Sequence, residues 1–452
     1  QVLEVTMAIK ANDVPALGYV QYSIDTQKDS HKETADKKVL ENKYYTIEVE
    51  ENGSLTIVDK ANNVTYKNQG ILVENGDDGD SFNYSPPRKD MEVFSNESKC
   101  TVKISGSDIY DQAEIHFDMV VPADLDERAE GKVSVTMLVD MTVALRKDSK
   151  VIDFNVKVDN KGLSHRLCVL FDSQIVSAFN YADQQFGLIK RPNYYEKEMK
   201  LYMESMNNKT EKKAGIQELA NWANDQSTWQ EPPISIEPTQ SYVSLTDGKT
   251  GIAVIPQGVR EYEVLDDSKI RLTLFRTYGF MGKENLIYRP GRASGERIIE
   301  TPAAQLLKEM EFNFGFTSYA GDINDSDIDT LAKQYNTNLE VYTYAEFLNG
   351  RLIFSQREIE GQNAKIHSLF ETEGNLVVSA VKKAEEDDGY IIRLYNGKDH
   401  KDLDDKIKFN FDIKEAYYTN LKEEKTEEIK VENNTISVKE LSHCKFVTIW
   451  VK

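Results

Sequence analysis

Apolar and polar residues alternate with a period of two through most of this chain, the pattern of strands buried on one face. Tyr45, Ile47 and Val49 alternate with Thr46 and Glu48, Asn52-Gly53 interrupts, and Leu55 and Ile57 resume on either side of Thr56. Asn-Gly supplies two successive positive φ angles, so this segment predicts a hairpin closed by a tight type I′ turn. Similar patterning predicts strands over residues 100–105, 113–121, 132–146, 150–160, 166–173, 242–254 and 269–277. Their number and spacing imply a large antiparallel sandwich rather than alternating βαβ units.

Breaks in the pattern suggest domain limits. Val5, Met7 and Ile9 alternate ahead of the Pro15-Ala16-Leu17-Gly18 turn, and Tyr19, Tyr22 and Ile24 follow it, so residues 1–26 read as the tail of a preceding β domain. Residues 27–38 are polar throughout and read as a linker, which leaves 39–325 for the large sandwich. Asp325 or Ser326 is placed to cap a connecting helix over 326–335, with Ile328, Leu331, Ala332 and Tyr335 on one face. New strands at 376–382, 390–395, 406–413, 435–438 and 445–452 then predict a smaller β-sandwich over 336–452. The acidic run Glu385-Glu386-Asp387-Asp388-Gly389 reads as a solvated hairpin tip.

Bulk composition narrows the function. A length of 452 residues implies more than one core. The 40% hydrophobic and 29% charged residues are those of a soluble globular protein. A net charge of −21 with no basic stripe argues against nucleic acid and against anionic lipid surfaces as partners. No apolar run approaches the roughly 20 residues that cross a bilayer. The N-terminus has neither the features of a signal peptide nor a methionine, so the chain is expected to begin inside a longer gene product. Cys100, Cys168 and Cys444 are widely spaced and form no CxxC pair, which suits a reducing cytoplasm.

Few residues look chemical. His116-Phe117-Asp118 is a His-x-Asp triplet, and on a strand its two polar residues share one face. Ile115, Phe117 and Met119 occupy the opposite, apolar face, so His116 and Asp118 read as ordinary solvent-facing positions. No Gly-rich phosphate loop or nucleophile elbow occurs. Two loops are more suggestive. Gly79-Asp80-Ser81-Phe82-Asn83-Tyr84-Ser85-Pro86-Pro87-Arg88 brings an acid, two aromatics, an amide and a cation within one short reach. Aromatic faces cover the apolar side of a sugar ring while polar groups take its hydroxyls. The plainer reading is a surface turn punctuated by glycine and a proline pair. Arg276, Arg289 and Arg292 flank a second, glycine-rich loop, where a guanidinium fork could hold a carboxylate or sugar hydroxyls, or simply pair with surface acids.

Several blocks together carry a family resemblance. They are Pro15-Ala16-Leu17-Gly18-Tyr19, Asn52 through Lys60, Gly79 through Pro87, His165-Arg166-Leu167, Gly251 through Val254 with Glu261 through Val264, Arg292-Ala293-Ser294-Gly295 with Thr301-Pro302, and Ala380-Val381-Lys382 with Arg393 through Asn396. In this order they resemble the C-terminal half of glycoside hydrolase family 38, the α-mannosidases, and in particular its bacterial branch with mannosylglycerate hydrolases. The resemblance implies a galactose-mutarotase-like β-supersandwich followed by a smaller C-terminal β-sandwich. It also implies an N-terminal catalytic barrel that carries a divalent metal, normally zinc, and the two carboxyl groups of a retaining hydrolysis. None of the barrel's motifs matches this chain, so no catalytic residue and no metal site are expected in it. On this resemblance, Asp80, Phe82, Asn83 and Tyr84 belong to a loop that helps shape the sugar pocket, and Arg292 to a second loop. Relatives often have tyrosine where Phe82 stands, so Tyr84 or Asn83 is expected to supply the polar contact. The implied partners are a mannose-containing small glycoside and the barrel half of the same protein, with a homo-oligomer left open. A competing reading is a carbohydrate-binding or purely structural module without catalytic duty. An aldose epimerase acting alone would need a His acid and a Glu base on the concave sheet face, which the scattered histidines disfavour.

Overall fold

The strand Tyr110–Val121 shows how alternation becomes architecture. Asp111, Ala113, Ile115, Phe117, Met119 and Val121 are buried, while the intervening residues face outward. It pairs antiparallel with Val135–Arg146 and with Lys99–Gly106. The structure is a computed structural model, and it describes residues 9–22, 34–35, 37–209, 231–290, 298–341, 366–399 and 401–452. The chain is mainly β and divides into two compact units. One comprises His31–Asp183 and Lys190–Asn336, the other Gln1–Ser30, Gln184–Ile189 and Thr337–Lys452.

Three antiparallel sheets build the larger unit. The largest places Val243–Thr246, Thr250–Gln257, Glu309–Ala320, Ile152–Asp159, Val135–Arg146, Tyr110–Val121 and Lys99–Gly106 side by side in that order. Opposite lies a six-stranded sheet ordered Glu237–Pro238, Glu261–Leu265, Lys269–Arg276, His165–Asp172, Ile71–Gly76 and Val93–Phe94. A four-stranded meander, Val39–Glu41, Tyr45–Val49, Leu55–Asp59 and Val64–Gln69, completes the set. Their inner faces share one continuous core. Aromatic rings tie the three sheets together. Phe154 stacks on Phe314 at 5.2 Å and meets Phe171 edge-on at 5.4 Å, Phe171 stacks on Phe316 at 5.4 Å, and Tyr66 meets Phe316 edge-on at 5.9 Å.

The smaller unit is a two-sheet sandwich. One sheet is ordered Phe370–Thr372, Leu403–Phe409, Thr435–Leu441, Val431–Glu432. The other is ordered Val377–Lys383, Tyr390–Tyr395, Phe446–Val451, Ala416–Thr419, Lys425–Ile429. Phe370, Ile392, Leu394, Ile407, Phe409, Ile436 and Ile449 fill the space between them. Gly18–Val20, from the segment expected to be the tail of a preceding domain, pairs with Ile366–Ser368. Among the described residues no helix is long and apolar enough to cross a membrane.

Several local expectations need correction. The hairpin at Asn52-Gly53 forms, but its turn is not type I′. Gly53 N–H bonds the Glu50 carbonyl at 2.9 Å, and only Gly53 of the pair has positive φ, at 80°. That is a three-residue loop with Gly at the left-handed position, favoured because Asn52 spends its side chain on Ser54 instead. The single strand expected over 242–254 is two, Val243–Thr246 and Thr250–Gln257, separated by a turn in which Asp247 accepts from the N–H groups of Lys249 and Thr250. Two helices, Leu125–Glu130 and Glu196–Lys209, have no counterpart in the expected strands. The connecting helix spans Ile328–Asn336.

Because Phe154 is buried and in ring contact with both principal sheets, Phe154→Ala is predicted to cost about 3–5 kcal/mol in urea unfolding. A loss below about 1 kcal/mol would show that the aromatic cluster does not join the sheets.

Candidate functional site

Every residue of the strand Ile71–Gly76 is buried, and the chain leaves it directly into the loop that begins at Asp77. Asp80 folds this loop on itself. Its Oδ1 accepts the N–H groups of Phe82 at 3.0 Å and Asn83 at 3.1 Å, while its own N–H donates to the Asn83 carbonyl at 3.0 Å. The turn is so tight that a Cβ at Gly79 would lie 2.1 Å from the Asn83 carbonyl oxygen.

A second loop leaves the strand Lys269–Arg276, which lies across His165–Asp172 in the same sheet, and clamps the first through charge. Arg276 forms a bidentate pair with Asp77, Nε to Oδ2 at 2.6 Å and Nη2 to Oδ1 at 3.1 Å, and its Nη2 also donates to the carbonyls of Asp80 and Asn83. Arg289 pairs with Asp80 and donates to Asn83 Oδ1. Lys283 pairs with Asp78, and its backbone N–H donates to Asp80 Oδ2 at 2.9 Å. Ser81 Oγ donates to the Met281 carbonyl at 2.6 Å. Both aspartates of the two guanidinium pairs, Asp77 and Asp80, are buried.

Beneath the loops lies a buried polar layer on the outer face of the six-stranded sheet. Arg166 donates from Nε to Asn75 Oδ1 at 3.0 Å and from Nη2 to Glu263 Oε1 at 2.9 Å, and Arg271 Nε shares that same Glu263 oxygen at 2.8 Å. The Tyr84 ring covers the Arg166 guanidinium at 3.8 Å, and its hydroxyl accepts from Asn75 Nδ2 at 3.1 Å. On the core side of the same strands, Glu74 Oε1 pairs with Arg128 and lies 2.9 Å from His165 Nδ1. Arg128 is delivered there by the short helix Leu125–Glu130, whose N-terminus Asp124 caps.

The expected site residues therefore separate. Asp80 and Tyr84 are buried and held within the loop scaffold by Arg289 and Asn75. Burial pushes the Tyr84 phenol upward, so it stays neutral, with its oxygen already engaged by Asn75. Asn83 gives Oδ1 to Arg289 and places Nδ2 at 3.3 Å from Glu231 Oε2. Phe82 alone of these is well exposed, at 58%. Arg276 and Arg289 are consumed by the acids of the first loop rather than held out as forks. Arg292 lies outside the described residues. His116 sits between Asp140, 2.7 Å from Nδ1, and Asp118, 3.2 Å from Nε2, on the outward side of its strand. Among the described residues no group of three or more His, Cys, Asp or Glu side chains could hold a metal ion. His165 and Glu74, the His and Glu that do meet on the six-stranded sheet, are both fully buried, so a sugar could not reach them for epimerase chemistry.

Sequence reasoning missed the pairing of Arg166 with Glu263. The signal was present: an arginine in the apolar run His165-Arg166-Leu167-Cys168-Val169 and a glutamate between Tyr262 and Val264 are charges inside buried strands, which demand partners.

This fold of two β units matches known proteins. A profile described as "Glycosyl hydrolases family 38 C-terminal domain" matches residues 40–280, and one described as "Glycosyl hydrolases family 38 C-terminal beta sandwich domain" matches residues 375–448. The chain belongs to glycoside hydrolase family 38, to its C-terminal domains. A protein of Halalkalibacterium halodurans named "Putative mannosylglycerate hydrolase" is 24% identical over 420 residues, 88% of this chain and 40% of that protein. A solved α-mannosidase from Enterococcus faecalis V583 shares the fold with a TM-score of 0.71 at 21% identity, over 94% of this chain and 43% of that one. A family 38 protein from Enterococcus faecalis gives 0.70 at 21% identity, over 94% and 45%. The chain thus spans less than half the length of these relatives.

The clamp has a pH signature. Burial acts to raise the Asp80 carboxyl, but the Arg289 hydrogen bond and the N–H groups of Lys283, Asn83 and Phe82 outweigh it and hold it below the ordinary range. A carboxylate held lower in the folded than in the unfolded chain stabilises above its unfolded value of about 3.9 and loses that contribution as pH falls through the folded value. Asp80→Asn, which strands the Arg289 charge, is predicted to cost about 3–5 kcal/mol in urea unfolding at neutral pH. The difference from the parent should shrink as the pH falls below about 4. A difference that stays constant down to acid pH would remove the clamp as its source.

Proposed function

We propose that this chain is the non-barrel portion of an α-mannosidase-type glycoside hydrolase that lends a loop wall to the sugar pocket of a longer protein. The observation that supports this best is the contrast within the first loop. Arg276, Lys283 and Arg289 fix its backbone, yet the Phe82 ring at its tip is left exposed. A rigidly mounted aromatic ring loses little entropy on stacking against the apolar face of a sugar, which suits a pocket wall. Asn83, next to Phe82 in the chain, is partly engaged by Arg289 and Glu231. Family membership and similarity to proteins named mannosylglycerate hydrolase and α-mannosidase favour a mannose-containing small glycoside as substrate. In this reading the longer enzyme cleaves α-mannosides with retention, and the carboxyl pair and a divalent metal, zinc by family resemblance, lie in its other half. The three free cysteines favour the cytoplasm as its compartment.

The test compares this chain alone with the chain preceded by its upstream coding sequence, both assayed with an aryl α-mannoside. The chain alone should give no turnover, and the longer protein should be active and sensitive to chelators. In the longer protein Phe82→Ala should lower kcat/KM by several-fold to about tenfold, the worth of one aromatic contact. Chelator-insensitive turnover by the chain alone would sink the proposal. Micromolar binding of mannose by the chain alone, measured by calorimetry, would instead favour a carbohydrate-binding module.

A further inference from the structure

The smaller unit holds a cluster of reactive groups with no part in that reading. Ser442-His443-Cys444 turns into the strand Phe446–Val451, with Lys445 N–H donating to the Ser442 carbonyl at 3.1 Å and Cys444 N–H to the Asn396 carbonyl at 3.0 Å. These bonds hold Cys444 at a φ of 60°, a left-handed conformation that residues with a side chain adopt only where the surroundings impose it. Cys444 is exposed, whereas Cys168 is buried and Cys100 half-buried. Its Sγ lies 3.3 Å from Nε2 of His443. On the far side of the imidazole, Nδ1 lies 3.5 Å from Oδ1 of Asp399. The backbone of Gly187 rests against both groups, so that a Cβ there would come 2.6 Å from Sγ and 2.7 Å from Nε2. Next to Gly187, Phe186 stacks on Phe446 and meets Tyr395 edge-on, forming an apolar ledge beside the thiol.

Thiol, imidazole and carboxylate stand here in the order of a proton relay. A carboxylate facing Nδ1 favours the tautomer protonated there and leaves Nε2 to accept the thiol proton. Burial and the Asp399 charge push the thiol up, while Lys445 pulls it down. Cys444 therefore rests as a thiol and needs a base to become a nucleophile. Among the described residues, His443, Asp399 and Lys445 are titratable groups that act on it.

We propose that Cys444 is a reversible thiol-modification site, activated by His443 and oriented through Asp399, whose co-substrate is a small disulfide. The Sγ proton passes to Nε2, and the thiolate attacks one sulfur of the disulfide. The new S–S bond forms as the old one breaks, and the departing thiolate takes the electron pair and then the proton from His443. Cys444 is oxidised to a mixed disulfide, and half of the small disulfide is reduced to a free thiol.

The experiment treats the 452-residue chain with hydroxyethyl disulfide, whose neutrality keeps its own titration out of the result, and follows each cysteine by peptide mass spectrometry. Cys444 should be modified first, with its rate followed across pH. His443→Gln should slow it at least about tenfold and change the shape of the pH profile. Asp399→Asn, which leaves the imidazole in place, should slow it less and also alter the profile. Circular dichroism establishes that each variant is folded. Failure of Cys444 to react in the folded chain would overturn the proposal, as would a rate and pH profile unchanged in both variants.

Discussion

The end of the six-stranded sheet depends on guanidinium–carboxylate pairing out of water. Arg276 with Asp77 and Arg289 with Asp80 join two loops that leave neighbouring regions of the same sheet, and Arg166 with Glu263 and Asn75 forms the layer on which they rest. Bringing such charges out of water is costly, and the cost is recovered only when geometry and hydrogen bonding satisfy them. Here the loop backbone supplies much of that satisfaction, through the N–H groups that Asp80 accepts and the carbonyls that Arg276 donates to. Removing any one of the four loop charges would strand its partner. The arrangement therefore has few alternatives, and rigidity at the Phe82 tip follows from it.

The core below imposes a different kind of order. Inward-facing apolar residues of three sheets interdigitate around Phe154, Phe171, Phe314 and Phe316. The polar layer sits on the opposite face of the six-stranded sheet, so that sheet is buried on both sides by different chemistry. This explains why strands such as Ile71–Gly76 and Lys269–Arg276 carry almost no exposed residue. Sheets covered on both faces lose the clean alternation that one-sided burial gives. Near the smaller sandwich's final strand, the Cys444 turn sets a thiol beside the His443 imidazole, whose other nitrogen faces Asp399.

Legibility followed these physical differences. Where a strand has one wet face, as in Tyr110–Val121, its pattern was readable directly. Where local side-chain bonding competed with the backbone, the reading slipped: Asn52 spent its amide on Ser54 and changed the turn type, and Asp247 organised a turn within an apparently continuous strand. The loop Gly79–Arg88 was recognisable as chemically unusual, and Phe82 does project from it. That Asp80 and Tyr84 would turn inward was not readable, because their partners Arg289 and Arg166 are contributed by distant segments of chain.

By itself, then, the sequence determined a mainly antiparallel β protein, its division into a large and a small sandwich, and the family whose blocks it carries in order, since periodicity and composition act locally. Only the tertiary structure decided which charges are scaffold and which side chains remain free to meet a ligand. Opposite charges cancel by proximity in space, and separations such as the roughly two hundred residues between Asp80 and Arg289 leave no local trace.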